Sequence, residues 1–258
     1  MALVPDALWP DRAIGVFETI LIIDGSPIEL EAHLERLSWS VRDLFGADLP
    51  SDAAELVRKR ASPLPVGRLR LTVAPTSGGV LAADAVTAAV DPGNLFPSWE
   101  RATALRPFVV RGGLGAHKWA DRAGLAWTEA GESTGWLPLV LDTGDEVLEA
   151  SRANVFAVED GVLVTPAADG RILPGVARAR AIAIAGSLGL EVREESVDVQ
   201  RLIAAGEVFL TGSVRGVEPV RSVGETQLGP PGEAVAELAS EMRRVWTEIA
   251  GARSTRAS

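Results

Sequence analysis

The chain contains no cysteine, which excludes disulfides, thiolate nucleophiles and Cys-ligated zinc. It has only two histidines, His33 and His117, too few for the usual three-ligand catalytic zinc site unless carboxylates help. Long hydrophobic runs are missing too: VLAADAVTAAV and ARAIAIAGSLGLEV fall well under the roughly 20 residues of a membrane span. The opening MALVPDALWPDR carries acids and prolines where a secretory leader needs a basic region and an apolar run, so no signal peptide is expected. A soluble, cytoplasmic protein with no membrane partner is the expectation. A net charge of −10 with no basic stripe repels phosphate backbones, so no nucleic-acid partner is expected either.

Lysine is nearly absent as well. Of 25 basic residues only Lys59 and Lys118 are lysine, so a lysine surviving that bias is a candidate for a role arginine cannot fill. Lys59, in LVRKR, reads as part of a solvated helix face. Lys118 ends a glycine-rich connection in GGLGAHKWADR, where a functional and a surface reading both stand.

What is present is a chain of 258 residues, 47% hydrophobic, able to bury one large core or two modest ones. Residues 14 to 23, AIGVFETILI, read as a strand, and Asp24-Gly25 as a hairpin turn. Leu30, Leu34, Leu37, Val41 and Leu44 recur at spacings of three and four, the stripe of an amphipathic helix closed by Gly46. A short helix over 51–61 and strands at GRLRLTVAP, 85–90 and 104–110 complete an expected α/β domain over 1–110. Residues 111–116 read as an interdomain connection and 117–250 as a larger domain. There WADRAGLAWTEAG reads as helical, 137–166 as a strand meander, VARARAIAIAGSLG as a helix, LEVREESV, EVFLT and EPVRSV as strands, and 232–250 as a last helix before a tail at 251–258.

No GxSxG elbow, P-loop, HExxH or strand-following GxGxxG occurs. Polar features remain at element ends. ILPGVARARA puts a glycine at a helix start, where the N–H groups of Val176 and Ala177 would favour an anion. Ser213 follows a strand in FLTGSVRG, Glu149 lies among apolar residues, and Arg36 borders the buried stripe of its helix. Each has an ordinary structural reading. With a lysine they also share one economical reading: an aldehyde cofactor on Lys118, its phosphate met by Arg36, the helix start and Ser213, and its ring nitrogen by Glu149.

The motifs GVFETI, HLERLSWS, HKWADR, EASRANVF, ILPGVAR and EVFLTGSVRGVEPV, in that order from about Gly15 to Val223, make the chain resemble the class IV aminotransferases, the fold-type IV pyridoxal-phosphate enzymes. The resemblance implies a two-domain α/β (α+β) fold with a larger mixed-sheet pseudo-barrel domain, pyridoxal 5'-phosphate as cofactor, a small-molecule amino substrate and a homodimer. It implies Lys118 as the attachment residue, Glu149 at the pyridine nitrogen, and Arg36 and Ser213 at the phosphate. Leu173 matches the residue packed on the ring, and Val176 and Ala177 the phosphate-binding helix start. Branched-chain and D-amino-acid aminotransferases place tyrosines in the substrate pocket, and this chain has none. Its FETILIIDG, and an arginine four residues after the lysine, look more like aminodeoxychorismate lyase, although Pro75 stands where some lyases carry arginine. An aminotransferase and a non-catalytic ligand-binding member are the alternatives. Arg70, Arg111, Arg152 and Arg215 are available for substrate carboxylates.

Overall fold

The computed structural model describes residues 10–123, 125 and 136–254; of the helix expected over 119–131, residues 119–122 are not helical, Trp119 bridging to Val16 instead, and most of the rest lies outside the described residues, as does the end of the tail. The chain forms two compact units.

The smaller unit comprises Pro10–Leu95, His117–Arg122 and the end of the chain from Arg243. Strand β1 (Val16–Ile23) turns through Asp24 and Gly25, both at positive φ, into β2 (Ser26–Pro27). Helix α1 (Leu30–Phe45) and helix α2 (Ala53–Ala61) follow, then β3 (Val66–Pro75) and β4 (Leu81–Ala89). The strands form an antiparallel sheet in the order β2-β1-β3-β4. Along β3, Gly67, Leu69, Leu71 and Val73 are buried while Arg68 and Arg70 face out, the period of two that GRLRLTVAP announces. Leu30, Leu37 and Val41 of α1 bury against Ile20, Ile22, Leu69 and Leu71, with Leu34 and Leu44 at the margin. Gly46 ends α1 in the left-handed region and donates its N–H to the Arg42 carbonyl, the usual glycine stop.

The larger unit contains Phe96–Ala116 and Ala123–Met242. Its strands are β5 (Thr103–Val109), β6 (Trp136–Leu141), β7 (Glu146–Ala150), β8 (Asn154–Glu159) and β9 (Val162–Thr165), then β10 (Val192–Glu194), β11 (Val197–Asp198), β12 (Glu207–Gly212), β13 (Gly216–Val223) and β14 (Thr226–Gln227). Helix α3 (Val176–Ser187) and the short α4 (Val199–Ala204) interrupt them. The sheet order is β10-β9-β8-β12-β13-β5-β6-β7-β11, with β14 on β13. Its two end strands, β10 and β11, are separated by two residues only. Strands this many places apart in a flat sheet would be roughly 40 Å from one another, beyond the roughly 10 Å that so short a link can span. The sheet therefore curls back on itself into a half-barrel, filled by Leu105, Leu139, Val155, Ala157, Leu210, Val220 and their neighbours. The two-unit α/β architecture with curled sheets is the one the family resemblance implied.

Three further local expectations differ from the structure. The strand read at 104–110 as part of the first domain is β5, which pairs in parallel with β13 and β6 in the larger sheet; local periodicity carries no information about partners so distant in sequence. LEVREESV is two strands, not one, because its halves pair with opposite ends of the sheet, β9 and β7. The last helix, α5 (Glu233–Ser254), runs past the expected stop at 250, since Gly251 neither leaves the helix nor is followed by a breaker. The chain passes from the larger to the smaller unit at Ala116/His117, so Lys118 goes with the smaller unit. Among the described residues no helix is long and apolar enough to cross a membrane.

Candidate active site

Lys118 is laid along the start of β1. Its carbonyl accepts the Phe17 N–H at 2.8 Å, Ala120 donates to the Gly15 carbonyl at 2.9 Å, and Trp119 bridges to Val16. On the other side His117 is stacked on Trp39 with ring centroids 4.7 Å apart and meets Trp119 edge-on. Its ring nitrogens lie 3.1 Å from Ser40 Oγ and 3.0 Å from Asp43 Oδ2. The backbone on both sides of Lys118 is thus pinned to a strand and a helix, while its side chain places Nζ 5.0 Å from the centre of the Phe17 ring.

The same ring carries the Arg70 guanidinium at 3.8 Å, so two cationic heads lie against one aromatic ring. Arg70 also donates to the Ala120 carbonyl at 3.2 Å. Burial first, and then the charges of Arg122 and Arg68, hold its pKa below the usual value for arginine. Lys118 and Arg70 thus meet at Phe17, and Arg70 belongs to a group of arginines that repel one another.

Arg36 donates from Nε to Glu18 Oε1 at 2.7 Å and from NH2 to Oε2 at 2.6 Å, while His33 Nδ1 lies 2.8 Å from the same Oε2. Burial pushes the Glu18 carboxyl up, but the Arg36 charge, then His33, outweigh it and hold it at about 2. Glu18 is a residue that sequence reasoning passed over. Its signal was visible: one acid in the otherwise apolar run VFETILII, which must find a partner once the strand is buried.

In the larger unit Glu149 is buried at the end of β7. It accepts the Leu173 N–H at 3.3 Å on each oxygen, and Asn154 Nδ2 lies 3.5 Å from Oε2. Asn154 also donates to the Leu173 carbonyl at 2.9 Å. The ILPG segment is thereby fastened to the carboxylate, and Gly175 packs so tightly that a Cβ there would lie 2.0 Å from Asn154 Oδ1. Gly175 caps α3 without a side-chain hydrogen bond, and Val176 and Ala177 open the helix where backbone donors and the macrodipole favour an anion.

Thr211 pairs with Asn154 across β12 and β8, bringing the end of β12, and hence the Gly212-Ser213 turn, beside the same residues. Thr211 Oγ1 is buried with no hydrogen-bond partner, a second feature the sequence did not announce. Glu149, Leu173, Val176, Ala177 and Ser213 thus gather within the larger unit, and Arg36 and Lys118 within the smaller. The donor set fits pyridoxal phosphate: an uncapped helix start, an orphaned buried hydroxyl and Ser213 suit a phosphate, a buried carboxylate suits a protonated ring nitrogen, and Lys118 suits an aldehyde.

Fold and donor set together define the fold-type IV pyridoxal-phosphate class, and the family model for amino-transferase class IV matches residues 15–223. The chain belongs to this family, one of pyridoxal-phosphate-dependent enzymes. It is 47% identical over 87 residues to the mitochondrial branched-chain-amino-acid aminotransferase 1 of Arabidopsis thaliana, a match covering 34% of this chain and 23% of that one. The match to the Escherichia coli branched-chain-amino-acid aminotransferase likewise spans only 29% of that relative's length. Among solved structures, a 4-amino-4-deoxychorismate lyase from Pseudomonas aeruginosa superposes with a TM-score of 0.75 at 26% identity, covering 89% of this chain and 90% of that one. The Escherichia coli branched-chain aminotransferase superposes with a TM-score of 0.73 at 23% identity, covering 90% and 85%, a likeness of fold.

Proposed function

We propose that the protein is a pyridoxal-phosphate-dependent 4-amino-4-deoxychorismate lyase, acting as a cytoplasmic homodimer and releasing pyruvate to leave 4-aminobenzoate. The observation that carries this reading is the arginine group of Arg68, Arg70 and Arg122 in the unit that bears Lys118. Such a group suits a substrate with more than one carboxylate, whereas an amino acid with an apolar side chain offers it the α-carboxylate alone. The complete absence of tyrosine and the likeness to a solved lyase along most of the chain support the same reading.

When bound, the cofactor supplies an electron sink for the pair left at the carbon that bears the amine. Lys118 Nζ attaches the cofactor and then takes the proton from that carbon. Glu149, held by the Leu173 N–H and Asn154, keeps a proton at the pyridine nitrogen. Arg36, fixed by Glu18, and Ser213, with the start of α3, would hold the phosphate, and Leu173 would support the ring. Arg70 orients a substrate carboxylate. Loss of the ring proton and departure of the enolpyruvyl oxygen as pyruvate complete the reaction with no second substrate.

The local identity to branched-chain aminotransferases favours transamination as the second reading. The purified, cofactor-loaded protein is given aminodeoxychorismate without any keto acid, and pyruvate and 4-aminobenzoate are measured; equal yields of both are expected. No pyruvate, together with turnover of branched-chain amino acids and 2-oxoglutarate, would replace the lyase by an aminotransferase. Light scattering after gel filtration tests the homodimer, and a monomer would remove it.

A further inference from the structure

After Lys118 the chain is fastened by backbone, through the Lys118 carbonyl with Phe17 and the Ala120 N–H with Gly15. Before it the chain leaves a stretch with Gly112, Gly113 and Gly115 at positive φ, where glycine gives the backbone its widest freedom. There a side chain does the fastening, that of His117. Both of its ring nitrogens are met by helix α1. In the neutral ring the Asp43 carboxylate accepts from Nε2 at 3.0 Å, which leaves Nδ1 to accept the Ser40 hydroxyl at 3.1 Å. Trp39, also on α1, stacks on the ring with 24° between the planes, and Trp119 closes on it edge-on.

Ser40, His117 and Asp43 have the residue types of a nucleophilic triad, but Ser40 is buried, so its oxygen is closed to attack on a substrate. What the group does provide is a ring held at both nitrogens and across one face. Its holders share a helix with Arg36: residues 36, 39, 40 and 43 recur at spacings of three and four on α1, and the Arg36 fork is itself fixed on Glu18. One helix therefore carries both the arginine and the hooks for the residue that precedes Lys118.

We propose that His117 is a positioning residue: by clamping the backbone before Lys118 to α1, it keeps the lysine amine in register with Arg36 and with the phosphate that Arg36 would meet. The role rests on Lys118 attaching the cofactor and Arg36 meeting its phosphate, whichever reaction follows.

The full-length protein, freed of cofactor, is mixed with pyridoxal phosphate or with pyridoxal and quenched with borohydride at increasing times, and the Lys118 and Lys59 peptides are followed by mass spectrometry. Lys59, the other lysine of the chain and exposed on its helix, reports the reaction of an unplaced amine in the same tube. In the wild type Lys118 is expected to label faster than Lys59, and faster with pyridoxal phosphate than with pyridoxal. His117→Ala should slow Lys118 labelling by pyridoxal phosphate about ten- to a hundredfold, the size of a misplacement of about 1 Å, and by pyridoxal about threefold at most, since an aldehyde not held by its phosphate gains little from the register. Lys59 should label as before. His117→Gln, whose amide can still donate to Asp43, should recover part of the rate. Asp43→Ala, at an exposed position, should slow the reaction with pyridoxal phosphate about two- to tenfold, and it carries the test if His117→Ala does not fold. Full-rate labelling by pyridoxal phosphate in both variants, or equal slowing with both aldehydes, would overturn the positioning role. A wild type that leaves Lys118 unlabelled, or labels it no faster with the phosphate, would instead remove the reading on which the role rests.

Discussion

Glu18 in the smaller unit and Glu218 in the larger are both buried carboxylates beside an arginine, yet burial and charge resolve in opposite directions. Arg36 meets Glu18 with two aligned hydrogen bonds and His33 adds a third contact, so the carboxyl is held at about 2. At Glu218 burial wins over Arg215 and Arg152, and the pKa is raised. The difference teaches that proximity of charge does not settle a buried ion pair; the number of aligned donors does. At Glu18 the fork of Arg36 is filled and the arginine is fixed, whereas Arg215 approaches Glu218 through Nε and its side chain stays partly exposed.

The comparison extends to the division of labour between the units, and the largest expected effect tests that first. On the proposed mechanism, Lys118→Ala should lower pyruvate release by about a thousandfold or more, since both attachment and proton abstraction would be lost. Borohydride reduction of the cofactor-loaded protein should add cofactor mass to the Lys118 peptide in the wild type alone. Activity surviving in Lys118→Ala would move the chemistry out of the smaller unit.

Next in size is Glu18→Gln, which strips the countercharge from a buried arginine and should cost about 3–5 kcal/mol in denaturant unfolding. The pH dependence gives the sign. Glu18 drops from an ordinary 4.5 to about 2 on folding, so its contribution is present above pH 4.5 and is lost as pH falls towards 2. Glu18→Gln should flatten stability across that window. Glu218, whose folded pKa is raised, has the opposite slope: its contribution improves as pH falls through the raised value, and Glu218→Gln should cost less than Glu18→Gln at neutral pH, since burial already disfavours its charge. A Glu218→Gln loss as large as that of Glu18→Gln would break the contrast.

Gly175→Ala comes third, because its methyl group would displace the Asn154 amide that fastens Leu173 to Glu149. A loss of about 1–3 kcal/mol is expected, with weaker pyridoxal-phosphate retention on dialysis; full retention would remove the α3 start from the cofactor site. The smallest effect belongs to Arg42→Ala. Its pair with Asp48 lies in water, and the change should stay within about 0.5 kcal/mol.

Much of the site was legible because it is made of local signals. Lys118 stood out by lysine scarcity, Gly175 by its place before an apolar helix, and Ser213 by a strand-to-turn break. Glu18 with His33 and Arg36 was not assembled in advance, since strand and helix lie 15 to 18 residues apart and nothing local says which acid meets which base. Thr211 belongs to the polar strand end that also carries Ser213, but that its hydroxyl is buried and unpartnered is seen only in the structure.

By itself the sequence determined the elements whose burial follows a period: β1, the stripe of α1, the alternation of β3, and the glycine stops. It also determined which residue types were present for chemistry. Only the tertiary structure decided that β5 joins the larger sheet, that β10 and β11 pair with its opposite ends, and that charge prevails at one buried glutamate while burial prevails at another. Periodicity is written in neighbouring residues, whereas pairing and the alignment of a hydrogen bond depend on distant segments and become readable only once those segments meet.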